Sequence, residues 1–373
     1  MEGINKLSVK TYQMNGFKKC FLTLNLNDIA TFEHVCELYE VLVGYIAEKH
    51  IKVVYEKVFG QLAYKEEFKA LRNEKIKAPL TFLEGMSVMD TPFSSILICG
   101  IIEESDEVSL RYIKTFNQEE LIGTEICSPS FQYLYLAEIK SWSKDFNDMY
   151  QELEKYLDVC GYEPFNIVRT WIYINQIDDN YLQFNQARRE FFERNEIDFD
   201  SKAKRLPAST CISGKAEESC YGMIDVQCIK NENEQCKIER VYNILQNEAE
   251  GKKYLYGPTF SRGMLTEADN CQEVHVSGTA SINEAGKTVY VGDEYGQIKK
   301  TLLNVNSILQ QYDMTFSDLC QSTCFFKKKE YYAEFLKCLE ELGLEKFSDT
   351  FVVADVCRSD LLFELDGIAI KEI

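Results

Sequence analysis

An order of expected elements that recurs along the chain constrains the fold more than any local motif does. From 131 to 229 the pattern reads strand (131–139), amphipathic helix, strand (167–174), second helix and two closing strands (207–212 and 223–229). The first helix sets Phe146, Met149, Leu153, Tyr156 and Leu157 on one stripe, and the second brings Phe184, Arg188 and Phe191 together. The same order returns from 273 to 373. There a strand (274–282) precedes a helix carrying Ile298, Leu302, Val305 and Leu309. A strand over 319–326, a helix over 331–342 and two last strands follow, with Gly343 in the place a helix-terminating glycine prefers. A fainter copy opens the chain: strand 20–26, a helix marked by Phe32, Val35, Tyr39, Leu42 and Ile46, strand 53–58, short helix 64–73, and closing strands 80–83 and 94–102. Three β-α-β-α-β-β units of about 100 residues each account for most of the chain. The expected divisions are 1–125, 126–235 and 271–373, with 236–270 as a linker or docking segment. The charged stretches 103–124 and 230–270 read as connections between units.

Composition narrows the function. With 373 residues, 45% of them hydrophobic and 13% aromatic, the chain has material for several packed cores. Its formal charge of -19 argues against a nucleic-acid surface, because little would supply the counterion release that drives phosphate binding. An anion would need a local pocket. The longest basic run, Lys327 to Lys329, reads as a solvated strand end. Fourteen cysteines and three histidines offer no CxxC pair and no Cys/His ligand spacing, so neither metal nor cofactor is expected. The N-terminus shows no apolar leader pattern and no stretch approaches a membrane span, so a cytoplasmic protein with reduced, mostly buried thiols is expected.

Near the C-terminus, Ala354 to Gly367 places one carboxylate where chemistry is conceivable. Period-2 alternation puts Leu361, Phe363 and Leu365 on one face of a strand and Leu362, Glu364 and Asp366 on the other. Alone this is weak, since strand carboxylates are usually solvated.

Other motifs fall into an order with it: Val168-Arg-Thr-Trp171, Tyr181 to Arg188, Leu206-Pro-Ala-Ser-Thr210, Gly257 to Arg262, Val276-Ser-Gly-Thr-Ala-Ser-Ile282, Gly292-Asp293 with Gln297 and Asn304, then Ala354 to Arg358 with Asp360 to Glu364. With these, the third unit resembles the YjgF/RidA superfamily, and the second and third together resemble the chorismatases, or chorismate hydrolases. Ile172, Ala187 and the Cys211-Ile-Ser213 turn depart from the family pattern.

The resemblance implies an α/β (α+β) fold of four-stranded units with two helices on one face, three of them closing as a pseudo-trimer around a barrel-like core. One chain would then be a monomer with clefts between its units. It also implies a small dicarboxylate substrate, chorismate or a close analogue. Glu364 would be the general acid that protonates the enolpyruvyl ether, releasing pyruvate and a cyclohexadiene carboxylate or hydroxybenzoate. Arg169, Tyr181, Arg188, Thr210, Gly278 and Thr279 would bind the substrate, and Arg262 lies in a matching motif. The comparable closing strand of the second unit carries Asp225. Competing readings are an enamine or imine deaminase in the same cleft, a non-catalytic small-molecule binder, arginines serving as inter-unit salt bridges, a structural Arg358, and carboxylates that are only strand-edge acids.

Overall fold

The computed structural model describes residues 5–197, 205–231, 236–241, 259–283 and 285–373. Along the first part run β1 (Leu7–Met14), β2 (Phe17–Asn25), α1 (Phe32–Glu48), β3 (Lys52–Gly60), α2 (Lys65–Arg72), β4 (Leu80–Glu84), the short β5 (Met86–Ser87) and β6 (Phe93–Glu103). The second part contains β7 (Ser109–Lys114), β8 (Leu121–Cys127), β9 (Phe131–Ser141), α3 (Asn147–Cys160), β10 (Ile167–Ile174), α4 (Ile177–Arg194), β11 (Ala208–Ser213) and β12 (Gly222–Asn231). The third contains β13 (Lys237–Val241), β14 (Gly263–Ala268), β15 (Cys271–Ala280), α5 (Glu294–Leu309), β16 (Leu319–Phe326), α6 (Tyr331–Leu342), β17 (Thr350–Val353) and β18 (Phe363–Glu372).

Local chemistry fixes the helix ends. The Thr31 side chain accepts from the His34 N–H to start α1, and Asp293 accepts from the Gly296 N–H at 2.9 Å to start α5. Gly161 and Gly343 stop α3 and α6 in the left-handed conformation.

Each part builds one sheet, with orders β1-β2-β6-β3-β4, β11-β10-β12-β9-β8-β7 and β13-β14-β15-β18-β16-β17-β5. The outer face of each sheet packs on its own helices. Leu22, Leu24 and Ile98 meet Val35, Tyr39 and Leu42; Leu134, Ile172 and Val226 meet Leu153, Phe184 and Phe191; Val274, Cys324 and Leu365 meet Ile298, Leu302 and Phe335. The inner faces share a single central core, in which Phe21 and Tyr55, Tyr135 and Trp171, and Phe325 and Ile368 come together from the three sheets. The ladders remain separate around that core. They are stitched by the β5–β17 pairing, by isolated bridges from Ala208 to Ser261 and Ile212 to Val356, and by the Glu84 N–H donating to Lys215 O.

Buried ion pairs span all three junctions: Lys57 to Asp225 (3.1 Å) between the first and second sheets, Arg169 to Asp366 (2.9 Å) between the second and third, and Lys19 to Glu273 (2.5 Å) between the third and first. Charges taken from water this fully persist only when paired, so each pair fixes the seating of one sheet on the next.

Several expectations need correction. The stretches 103–124 and 230–270 are not mere connections: β7 and β8 extend the second sheet, and β13 and β14 extend the third. β7 and β13 are short and charged and gain order by pairing with a neighbour, whereas β8 and β14 bury runs that mix apolar residues with polar ones and glycine. Strand β1, also unforeseen, extends the first sheet. Leu361 does not share the face of Phe363 and Leu365. It precedes β18 and joins the central core, whereas the other two face the helices.

Candidate functional site

The registers make the three sheets superposable in sequence. Lys57 pairs with Leu97 and Thr81, Trp171 with Asp225 and Thr210, and Thr323 with Asp366 and Thr350. Two residues before the Leu97, Asp225 and Asp366 positions stand Ser95, Met223 and Glu364. The counterpart of Asp225 is therefore Asp366, not Glu364.

Each threonine of the trio crosses to the closing strand of the next sheet. Thr81 Oγ1 donates to Asp225 Oδ2 (2.9 Å), Thr210 Oγ1 to Asp366 Oδ2 (2.7 Å), and Thr350 Oγ1 accepts from Ser95 Oγ (2.9 Å). Three equivalent junctions result, each a candidate cleft, and of these only the one between the second and third sheets has an acid in the Glu364 position.

In that cleft Arg169, wholly buried, donates through Nη2 to Thr210 Oγ1 (2.6 Å) and Asp366 Oδ2 (2.9 Å), and its guanidinium lies 4.6 Å over the Trp171 ring. Thr210 Oγ1 also accepts from the Gly278 N–H at 3.0 Å. One hydroxyl thus uses its donor and both acceptor sites. Gly278 can reach it because β15 bulges at Ser277–Gly278, where its register with β18 shifts between Val276 and Thr279. Ser277 clamps the bulge: its hydroxyl accepts from the Ser209 N–H (2.9 Å) and donates to Ser261 O (2.6 Å).

Glu364 lies against this bulge. A Cβ on Gly278 would sit 2.1 Å from Glu364 Oε1, so glycine makes room for the carboxyl group. Burial, then the neighbouring Asp366 charge, pushes the Glu364 carboxyl up to about 8, against the opposing pull of Arg262, Arg169 and Arg358. Glu364 and Asp225 are both buried, which removes the reading of either as a solvated strand-edge acid. Asp225 is engaged by Thr81, Tyr135, Lys57 and the Glu138 N–H.

The remaining expected residues divide. Arg188 donates to Asn185 Oδ1 (2.5 Å), and the guanidinium carbons of Arg188 and Arg262 lie 5.6 and 5.1 Å from the Phe260 ring. Burial and Glu364 push the Cys357 thiol up to about 11, with a hydrogen bond from Tyr181 acting the other way. The Ile212–Val356 bridge sets Cys211 opposite Cys357, and Arg188, Cys357 and Glu364 all act on the Cys211 thiol, which burial holds well above its usual range. Glu364, Arg188, Tyr181 and Thr210 therefore gather at one junction.

Thr279 is buried there, but its hydroxyl donates to Ser277 O and its strand partner is Leu365. Arg169 does form the inter-unit salt bridge weighed from sequence. Arg358 donates to Gly286 O and Thr288 Oγ1. Gly257 and Pro258 lie outside the described residues.

Sequence reasoning did not name Asp366, Cys211 or Cys357 as neighbours of the acid, nor Phe260 as the ring beside Arg188 and Arg262. Asp366 had a signal, its alternation with Glu364; the others come from segments that meet only in space. Among the described residues, no group of three or more His, Cys, Asp or Glu side chains could hold a metal ion, and no helix is long and apolar enough to cross a membrane.

Residues 260–371 match the family described as Endoribonuclease L-PSP. A curated relative, 3-hydroxybenzoate synthase from Streptomyces hygroscopicus, is 26% identical over 242 residues, spanning 59% of this chain and 67% of the relative. A crystal structure of a chorismatase superposes with a TM-score of 0.60 at 15% identity, over 85% of this chain and 93% of the other. At that identity the superposition speaks to the fold alone.

Proposed function

We propose that this chain, a chorismatase-like member of the YjgF/RidA-like superfamily, is an enzyme that cleaves the enolpyruvyl ether of chorismate or a close analogue. The observation that carries this reading is Glu364, buried at the Gly278 bulge with its carboxyl pushed up to about 8. Such a group holds its proton near neutral pH and can give it away. In the proposed step that proton goes to the vinyl methylene carbon, leaving an oxocarbenium ion at the ether carbon. Water adds there, and the resulting hemiketal loses its ring alkoxy group as an alcohol to give pyruvate.

Arg188 is our choice for a substrate carboxylate, because it is held by Asn185 at the junction where it and Glu364 both act on the Cys211 and Cys357 thiols. Arg169, committed to Asp366 and Thr210, acts by positioning. Tyr181 and the Gly278 bulge complete the walls. We take the three units to follow the three sheets, the second beginning at β7 and the third at β13, with one chain closing on itself as a cytoplasmic monomer.

The test is pyruvate release from chorismate by the parent and by Glu364→Gln. We expect release by the parent and a loss of at least about a hundredfold in the variant. Full activity in the variant overturns the role of Glu364. Ammonia from 2-iminobutyrate, with no pyruvate from chorismate, overturns the substrate class in favour of a deaminase. Chromatography of the ring product separates a diene diol from a hydroxybenzoate.

A further inference from the structure

The cleft between the first and second sheets repeats the scaffold of the Glu364 cleft with a different filling. Strand β9 bulges opposite Asp225, its register with β12 shifting between Ile224 and Val226, as β15 bulges opposite Asp366. By register, Glu138 stands where Gly278 stands in the other cleft. Its φ of 45° is a left-handed conformation that costs a non-glycine residue roughly 1–2 kcal/mol.

The Glu138 side chain turns into a cationic nest. Oε1 accepts from the Phe82 N–H at 2.7 Å and lies 3.8 Å from Lys65 Nζ, while Oε2 lies 3.3 Å from Lys140 Nζ. The nest is held from outside: Lys65 donates to Ala216 O (2.9 Å) and Lys140 pairs with Glu217 (2.7 Å). Lys65 is itself buried. The Glu364 position is filled here by Met223, so this cleft has a carboxylate and no acid of the Glu364 kind. A surface groove of about 610 Å³, lined by Glu138, Lys140, Trp142 and Phe116 among others, gives solvent a path to it.

We propose that Phe82 N–H, Lys65 and Lys140 form a carboxylate-binding site which the chain fills with its own Glu138, and which takes a small free carboxylate once that side chain is removed. The first cleft is in this sense a binding site closed by an internal ligand. The Phe82 N–H bond and the two lysine contacts hold the ligand in place against that backbone strain.

The experiment is thermal melting of the full chain carrying Glu138→Gly, in acetate or formate against chloride at equal ionic strength. We expect the variant to melt below the parent in chloride and to recover several degrees in tens of millimolar carboxylate. The parent should show no difference between the salts, and adding Lys65→Met to the variant should abolish the recovery. Equal melting of Glu138→Gly in carboxylate and chloride overturns the proposal, as does an equal carboxylate response of the parent. If the variant does not fold, its refolding yield from urea in formate against chloride supplies the same contrast, and equal yields overturn the proposal. None of these readouts depends on catalysis, so they stand apart from the assay of Glu364.

Discussion

Thr210 Oγ1 donates to Asp366 Oδ2 at 2.7 Å, so a hydroxyl on the edge of the second sheet holds a carboxylate on the central strand of the third. The same oxygen receives Arg169 and the Gly278 N–H. Thr210→Val keeps the shape and leaves three buried polar groups short of a partner. We expect a loss of about 1–3 kcal/mol in urea unfolding, the range for an orphaned buried polar group. An unchanged midpoint would show that the knot adds nothing to stability.

Glu364 sets the pH dependence. With its acid form required, pyruvate release should hold below about pH 8 and fall about tenfold per unit above it. Stability should follow the same group. Its folded pKa is raised above the unfolded value, so its contribution is full below the ordinary carboxyl range and is lost as pH rises toward about 8. Paired melts of the parent and Glu364→Gln across that window isolate the effect; parallel curves would contradict it.

Asp366 is the second cause of the raised Glu364 carboxyl. Asp366→Asn removes the charge and retains an oxygen for Thr210, so the alkaline limb of the rate profile should move to lower pH. Carbon NMR titration of the Glu364 carboxyl reads the same shift without any turnover. No displacement by either method would mean that burial alone sets the proton affinity.

Gly278→Ala places a methyl group 2.1 Å from Glu364 Oε1. The carboxyl group must move, and a displacement near 1 Å commonly costs about a hundredfold in rate. Pyruvate release should fall by that order while the melting temperature changes little. Retained activity would place the reacting atoms elsewhere.

Lys57→Met leaves Asp225 buried at the first junction without its cation. We expect a loss of about 3–5 kcal/mol, measured by urea denaturation. A far smaller loss would show that Thr81 and Tyr135 alone satisfy Asp225.

Much of the fold was legible because a buried strand reads as a short, largely apolar run and a packed helix as an apolar stripe. The strands over 167–174 and 319–326 and the helix over 331–342 sit where the apolar pattern put them. The hairpin strands β7, β8, β13 and β14 were not, since each is short and carries charge among its apolar residues. For the site, the resemblance pointed to Arg169, Thr210 and Glu364 singly. Nothing local to Arg169 announces that its partner is Asp366, 197 residues away. The equivalence of Asp225 with Asp366 likewise rests on strand register, which a sequence pattern does not number.

The late position of Asp366 bears on how the chain is made. During synthesis Arg169 and Thr210 emerge long before β18, yet β18 is an inner strand, seated between β15 and β16. Until it inserts, the second sheet has an arginine bound for the interior with no counter-charge, and the third lacks the strand that joins its halves. β18, which leaves the ribosome after every other described strand, therefore acts as the latch of the assembly, and it brings the proposed acid with it.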